Sequence, residues 1–323
     1  MARPTTTSTA ARAMPAARRN ALPGRLSPGM ACDTAFRIIA RRHLDAVLAQ
    51  HEGTCRGDPE ALHQIRIALT HLRTTIRFFA PMIDDALRPN VWAELKWLNS
   101  QLGMVRDLDV AIERVLAESK GELAVVAELQ HWDEKRAESH RLLARALQSA
   151  RYRRLVEQTS GWIESGPWST RRSKEAIRSR RCSLADHATM QLTEWERTLL
   201  KKARKLRKLD VEKRHKLRIL NKRLTYSIES LQDLFADESA TTQKSILKQL
   251  RKAQKALGEL NDDARGQTLA ASLNANVPEA GIRFLNRKRE KKLLQTAAAA
   301  YRKLDKAKPF RSSDLAPNSE PED

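Results

Sequence analysis

The sequence predicts an all-α protein built from two copies of one helical unit, and three observations carry that expectation. Between Ala31 and Lys308 nearly every segment spaces its apolar residues as a helix does, and none alternates with period two over a strand length. Glycine and proline, 11 and 12 in the chain, gather at the ends and at a few breaks: "GTCRGDP" at 53–59, "SGPWSTRRS" at 165–173 and "NANVPEAG" at 274–281. The stretch "HQIRIALTHLR" at 63–73 returns as "HKLRILNKRLT" at 215–225, 152 positions later.

The elements follow in chain order. Residues 1–30, rich in Arg, Ser and Thr and free of acids, read as a disordered basic tail rather than a transit peptide. A first helix spans about 33–51, and on it His43 falls on the apolar side with Phe36, Ile39 and Val47, so it reads as structural. The first histidine helix follows, then "QLGMVRDLD" at 101–109, then a long helix over about 122–164, allowing an interruption; His131 and His140 belong to it structurally. After the break at 165–173 the order repeats: a helix over 187–209, the second histidine helix, "ALGELNDDA" at 256–264 and a last helix over 280–305. Gly103 aligns with Gly258 and Asp107 with Asp262. Each half, 31–165 and 180–310, therefore carries four helices, a repeat too long for a solenoid turn and of the size of a small bundle. Residues 311–323 form an acidic tail without a helical pattern.

Charge narrows the partner. Lys and Arg number 60 against 39 Asp and Glu, a net charge of +21 in 323 residues. Such a surface repels itself unless a polyanion neutralises it, so nucleic acid, an anionic membrane and polyphosphate are the partner classes to weigh. The three cysteines are widely spaced and form no CxxC, which points to neither a disulfide framework nor a zinc site, and to a reducing cytoplasm. No apolar run approaches the roughly 18 residues of a membrane span.

The repeated helix separates two faces. Ile65, Leu69, Leu72, Ile76 and Phe79 fall within about 80° of one another, while His63, Arg66, Arg73 and Arg77 fill a second arc roughly 110° away. In the second copy Leu217, Leu220, Leu224, Ile228 and Leu231 make the core stripe, and His215, Arg218 and Lys222 the cationic one. No acid occurs between Glu60 and Asp84 or between Glu212 and Glu229. Solvated helix faces normally mix signs through i,i+4 pairs, so two faces stripped of acids point to anion binding. Arg37 and Arg41 on the first helix, and Lys201, Arg204 and Lys208 after the break, are additional candidates that an ordinary basic surface explains nearly as well. Asp107 and Asp262 read as acids that orient basic side chains or cap a turn after the glycine; a metal role for "DLD" and "NDD" is weak, and no cofactor is expected.

With these motifs in view the chain resembles the conserved histidine α-helical domain, the CHAD family. The resemblance rests on histidine with arginine at i+3, a dense Lys/Arg cluster, an LG segment some 40 residues on, and duplication of the whole. "SARYRRLVEQTSGWI" at 149–163 and "KAKPF" at 306–310 are similar to family landmarks as well, so it covers about residues 31–310. It implies two four-helix bundles related by a pseudo-twofold axis around a basic central channel. It further implies binding of inorganic polyphosphate and, in bacteria, association with polyphosphate granules. By motif the basic cluster maps onto His63, Arg66, Arg73, His215, Lys216, Arg218, Lys222 and Arg223, while Thr70, His71 and Thr225 stand where the family is usually basic.

Two rival classes remain. A nucleic-acid binder would use the same charge, but no groove-entering motif is visible and aromatics are only 5% of the chain, so nucleic acid is expected as a weaker competitor. A phosphohydrolase would need convergent carboxylates around a metal, and the sequence has no ExExK strand, Walker A loop, HExxH or GxSxG. The expectation is a non-enzymatic protein of the cytoplasm, at granules.

Overall fold

The computed structural model describes residues 24–118, 123–235, 237–273 and 285–307. Among them the secondary structure is helical, with one isolated bridge, Ala31 to Ser183, outside the helices. The helices of the first half are α1 (Cys32–Ala49), α2 (His51–Cys55), α3 (Pro59–Phe78), α4 (Arg88–Glu118), α5 (Leu123–Gln148) and α6 (Ala150–Ser165). After the short α7 (Lys174–Arg181) come α8 (Leu184–Ala203), α9 (Val211–Ser230), α10 (Asp237–Leu273) and α11 (Arg287–Asp305).

Local chemistry sets these boundaries. The two histidine helices, α3 and α9, each start from an aspartate: Asp58 accepts from the Glu60 N–H, with Pro59 at the first helical position, and Asp210 accepts from the Lys213 N–H. Asp58 and Asp210 are 152 positions apart, so the cap belongs to the repeat. Ser149 divides the long helix expected over 122–164: its hydroxyl accepts from the Tyr152 N–H, starting α6 anew and sending it back across α1 and α4. The first half thus holds more than four helices, while the second runs as α8 to α11.

The predicted stripes form the core. Ile65, Leu69, Leu72, Ile76 and Phe79 are buried on α3 or just after it, as are Leu217, Leu224, Ile228 and Leu231 in the second copy, with Leu220 partly buried. Beneath α1, Phe36 meets Phe79, Trp162 and Trp168 edge-on at 5.2 to 5.8 Å, the geometry that ring quadrupoles favour. α3 lies between α1 and α4, α9 between α8 and α10, and α11 packs on α10. The halves meet where α3 touches α9, α4 touches α10 and α1 touches α8.

Three expectations need correction. Residues 24–30 belong to the fold rather than to the tail: Leu26 is buried, and Pro28 and Met30 accept from the backbone of Ala185 and Leu184. The helix expected over 187–209 stops at Ala203, where the chain tightens into a 3-10 turn, Leu206–Lys208, that buries Leu206. Gly103 and Gly258 sit inside α4 and α10, so no turn follows either glycine for an aspartate to cap. His43 is structural as expected, hydrogen-bonded through Nε2 to Ser230 Oγ at 3.0 Å. The break at 274–281, residues 1–23, the side chain of His131 and the acidic tail lie outside the described residues. No described helix is long and apolar enough to cross a membrane.

Candidate functional site

Where α3, α4, α9 and α10 converge they leave a cleft of about 500 Å³. His63, Arg66, Arg73 and Arg77 reach it from α3, and His215, Arg218, Lys222 and Arg223 from α9. His63 and Arg77 are 14 positions apart on one helix, so this face extends for about 21 Å at 1.5 Å per residue. Arg106 and Arg265 complete the cationic wall from α4 and α10, giving eight arginine and lysine side chains against two aspartates, Asp107 and Asp262.

The cations at the centre are buried and short of partners. Arg66 Nη1 and Arg218 Nε are shielded from solvent and have no hydrogen-bond acceptor, and nor has Arg73 Nε. Burial pulls the Arg66 guanidinium below its usual range, with Arg265, Arg106 and Arg218 adding to the effect against Asp107. Arg218 is lowered by burial likewise, opposed chiefly by Asp262. Lys222 falls to about 7, first through burial and then through Arg218 and Arg66. Arg223 falls to about 10, through burial and then Arg77 and Arg73. His63 is lowered too, by burial and Arg106. Each shift has the same first cause, burial, and in most of them neighbouring cations add to it.

The LG glycines lie beside the Arg66 and Arg218 guanidiniums. A Cβ built on Gly103 would stand 3.4 Å from Arg66 Nη1, and one on Gly258 would stand 3.9 Å from Arg218 Nε. Gly103 therefore keeps the space beside Arg66 open, whereas at Gly258 a methyl group would meet Arg218 only at ordinary contact distance. The acids hold the rim: Asp107 on α4 bonds Arg265 on α10 across the boundary between the halves. His215 Nδ1 donates to Asn261 Oδ1 on α10, leaving its other ring nitrogen free to turn toward a ligand.

Other candidates lie elsewhere. Lys216, one position past His215 and so about 100° round the helix, pairs with Glu212 at 2.7 Å in solvent and does not line the cleft. Arg37 donates to the Glu164 carbonyl and pairs with Asp33, and Arg41 binds Glu164 and Ser160; both fasten α1 to α6. Lys201, Arg204 and Lys208 are exposed at the end of α8 and beyond, with Arg204 near Asp305 at 3.9 Å. Of the three positions that depart from the family pattern only Thr70 lines the cleft. Thr225 is buried and bonds Asn221, and His71 stacks on Tyr226 at 4.2 Å, so neither thins the cationic wall.

Sequence reasoning missed Arg106, Arg265, Trp92 and Tyr226. Arg106 stood inside the quoted LG motif, one residue before Asp107, and Arg265 lies one helical turn past Asp262, the spacing that shares a face. Trp92 gave no such signal. Arg73 and Arg77 lie over its ring, 4.9 and 4.5 Å from the centroid, so an aromatic does stand among the basic positions. Among the described residues no group of three or more His, Cys, Asp or Glu could hold a metal ion.

The sequence profile of the CHAD domain matches residues 38–271, most of the chain, and the protein belongs to that family. Its fold is similar to the crystal structure of the CHAD domain from the plant Ricinus communis, with a TM-score of 0.72 at 23% identity, covering 89% of this chain and 96% of that one. It is similar also to PptA from Streptomyces chartreusis, with a TM-score of 0.56 at 15% identity, covering 85% and 98%. No curated protein matches the chain in sequence.

Proposed function

We propose that the cleft binds inorganic polyphosphate and that the protein is a non-catalytic polyphosphate-binding module. The observation that carries this is the convergence of Arg66, Arg218 and Lys222 on one cleft, with Arg66 Nη1 and Arg218 Nε buried and without acceptors. A buried donor without an acceptor costs roughly 1–3 kcal/mol, more where it is charged, and a phosphate oxygen removes that cost. Several such groups in one elongated cleft favour a thin anion with closely spaced charges over a single phosphate. The two halves act as bundles about a pseudo-twofold axis with the cleft as their central channel, each contributing one histidine helix. Attachment to polyphosphate granules in the cytoplasm follows from the same chemistry.

Nucleic acid is the second reading, and Trp92 beneath Arg73 and Arg77 is the feature that speaks for it. The guanidiniums over that ring compete with a base for it, which is why polyphosphate remains the first reading. The test is a titration of the full chain with long-chain polyphosphate and with single- and double-stranded DNA at equal charge concentration. Polyphosphate should displace both at physiological salt. Equal affinity for duplex DNA, which is too wide for the cleft, would overturn the proposal.

A further inference from the structure

We propose that Cys32 and Cys182 form a redox-active dithiol, a modification site at which a peroxide closes a disulfide between the two halves of the protein. The backbone places them face to face. Ala31 and Ser183 form an antiparallel bridge, the Cys32 N–H donates to the Cys182 carbonyl at 3.0 Å, and the Leu184 N–H donates to the Met30 carbonyl at 2.8 Å. Residues opposed in this way have Cα atoms about 5.5 Å apart, inside the roughly 4.4–6.8 Å span that disulfides use. The Cys32 side chain also points to this side of the bridge, its sulfur lying 3.7 Å from the carbonyl of Ser183, the residue next to Cys182. Nothing in the sequence pointed here, because the two cysteines are 150 positions apart and share no motif.

Access assigns the roles. Cys182 is partly exposed, whereas Cys32 is fully buried at 0% and its sulfur approaches the Ser183 carbonyl at 3.7 Å. Peroxide therefore reaches Cys182. Its thiolate attacks one peroxide oxygen, the O–O bond breaks, and hydroxide leaves to become water, giving a sulfenic acid. Cys32 then attacks the Cys182 sulfur; the S–S bond forms, the S–O bond breaks, and the departing oxygen takes the Cys32 proton as a second water. Two thiols and one peroxide give one disulfide and two waters, and a dithiol reductant reverses the change. Burial pushes the Cys32 thiol up and keeps peroxide from it, so Cys32 serves only as the resolving thiol. Cys55, the third cysteine, lies beside His51 at 3.8 Å in another part of the first half and is left out.

The bond would join the start of α1 to the residues that lead into α8, the helices on which α3 and α9 rest. It would therefore fasten the boundary behind the cleft while leaving every cleft side chain in place.

The test uses the full native chain and does not depend on what the cleft binds. After treatment with about one equivalent of hydrogen peroxide, denaturing thiol titration should fall from three thiols to one. Peptide mapping should show the Cys32 and Cys182 peptides linked, the melting temperature should rise, and dithiothreitol should restore all three thiols. Cys182→Ser should keep both remaining thiols under the same treatment and show no thermal shift. Should that variant fail to fold, Cys55→Ser decides the matter, since it must lose both its thiols together. A Cys182 sulfinic acid with Cys32 still free, or a linkage through Cys55, would overturn the proposal.

Discussion

Raising the pH should weaken polyphosphate binding, and Lys222 sets the size of the effect. Burial, then the neighbouring Arg218 and Arg66, bring its ammonium down to about 7. Phosphate oxygens restore the charged form, so the bound state carries an ordinary lysine, near ~10.4. At pH 6 the amine is already protonated and nothing is lost; at pH 8 a proton must be taken up against one unit, about 1.4 kcal/mol or about ten-fold in affinity. His63, lowered by burial and Arg106, adds a loss of the same sign. The assay is calorimetric titration of long-chain polyphosphate, whose few terminal phosphates contribute little titration of their own, at pH 6, 7 and 8 in buffers of different ionisation enthalpy. Apparent affinity should fall about ten-fold between pH 6 and pH 8 while proton uptake at pH 8 approaches one per site. Lys222→Arg, charged throughout, should flatten most of that dependence. An affinity that stays level from pH 6 to 8 in the native protein, or identical profiles for the native protein and Lys222→Arg, would refute the reasoning.

The other expectations test separate parts of the site. Arg66→Glu with Arg218→Glu should abolish binding with little loss of fold, whereas Lys288→Glu with Lys292→Glu, the same charge change on α11, should leave most of it; equal losses would reduce the effect to net charge. Log affinity should fall with log salt by about 0.7 for each phosphate neutralised, a slope steeper than about −3, and a level response would place the binding energy elsewhere. Gly258→Ala should stabilise the protein by about 0.5–1 kcal/mol, since its Cβ meets Arg218 only at 3.9 Å. Gly103→Val, with branches reaching beyond the 3.4 Å approach to Arg66, should instead displace that guanidinium and weaken binding in the same titration.

Much of this site was legible because helical periodicity is a local property. The wheel alone placed His63, Arg66, Arg73 and Arg77 on one face, and the structure turns all four to the cleft. Lys216 was assigned by motif position, and the 100° step from His215 was enough to carry it into solvent. Arg37 and Arg41 share a face as expected, but what faces them, Glu164 on α6, depends on the chain reversing at Ser149, which periodicity does not report. The LG segments misled for a related reason. Glycine usually marks a helix end, but Gly103 and Gly258 lie inside helices, and at Gly103 the close neighbour is a guanidinium on another helix. Arg265 and Cys182 have the same character: each acquires its meaning from a residue more than 140 positions away.

The cleft also shows why its charges need so much support. Like charges brought together in a buried place work against folding, and Lys222 illustrates the sign. Its folded value lies below its unfolded one, so between about pH 7 and 10 the unfolded chain holds more protons and the protein by itself gains stability as the pH rises. Binding runs the other way, since it requires the charged form. The two trends share one origin: the fold buries Arg66, Arg218 and Lys222 together, a cost that the proposed anion would relieve. What sustains that arrangement is the apolar packing behind it, with Ile65, Leu69 and Leu72 on α3 and Leu217 and Leu224 on α9 fully enclosed. Each apolar stripe lies about a third of a turn from the cations it supports, so the same helix carries both the stabilising face and the destabilised one. Duplication then places two such helices in contact, and the cationic faces that each half would otherwise leave to solvent become the walls of a single cleft.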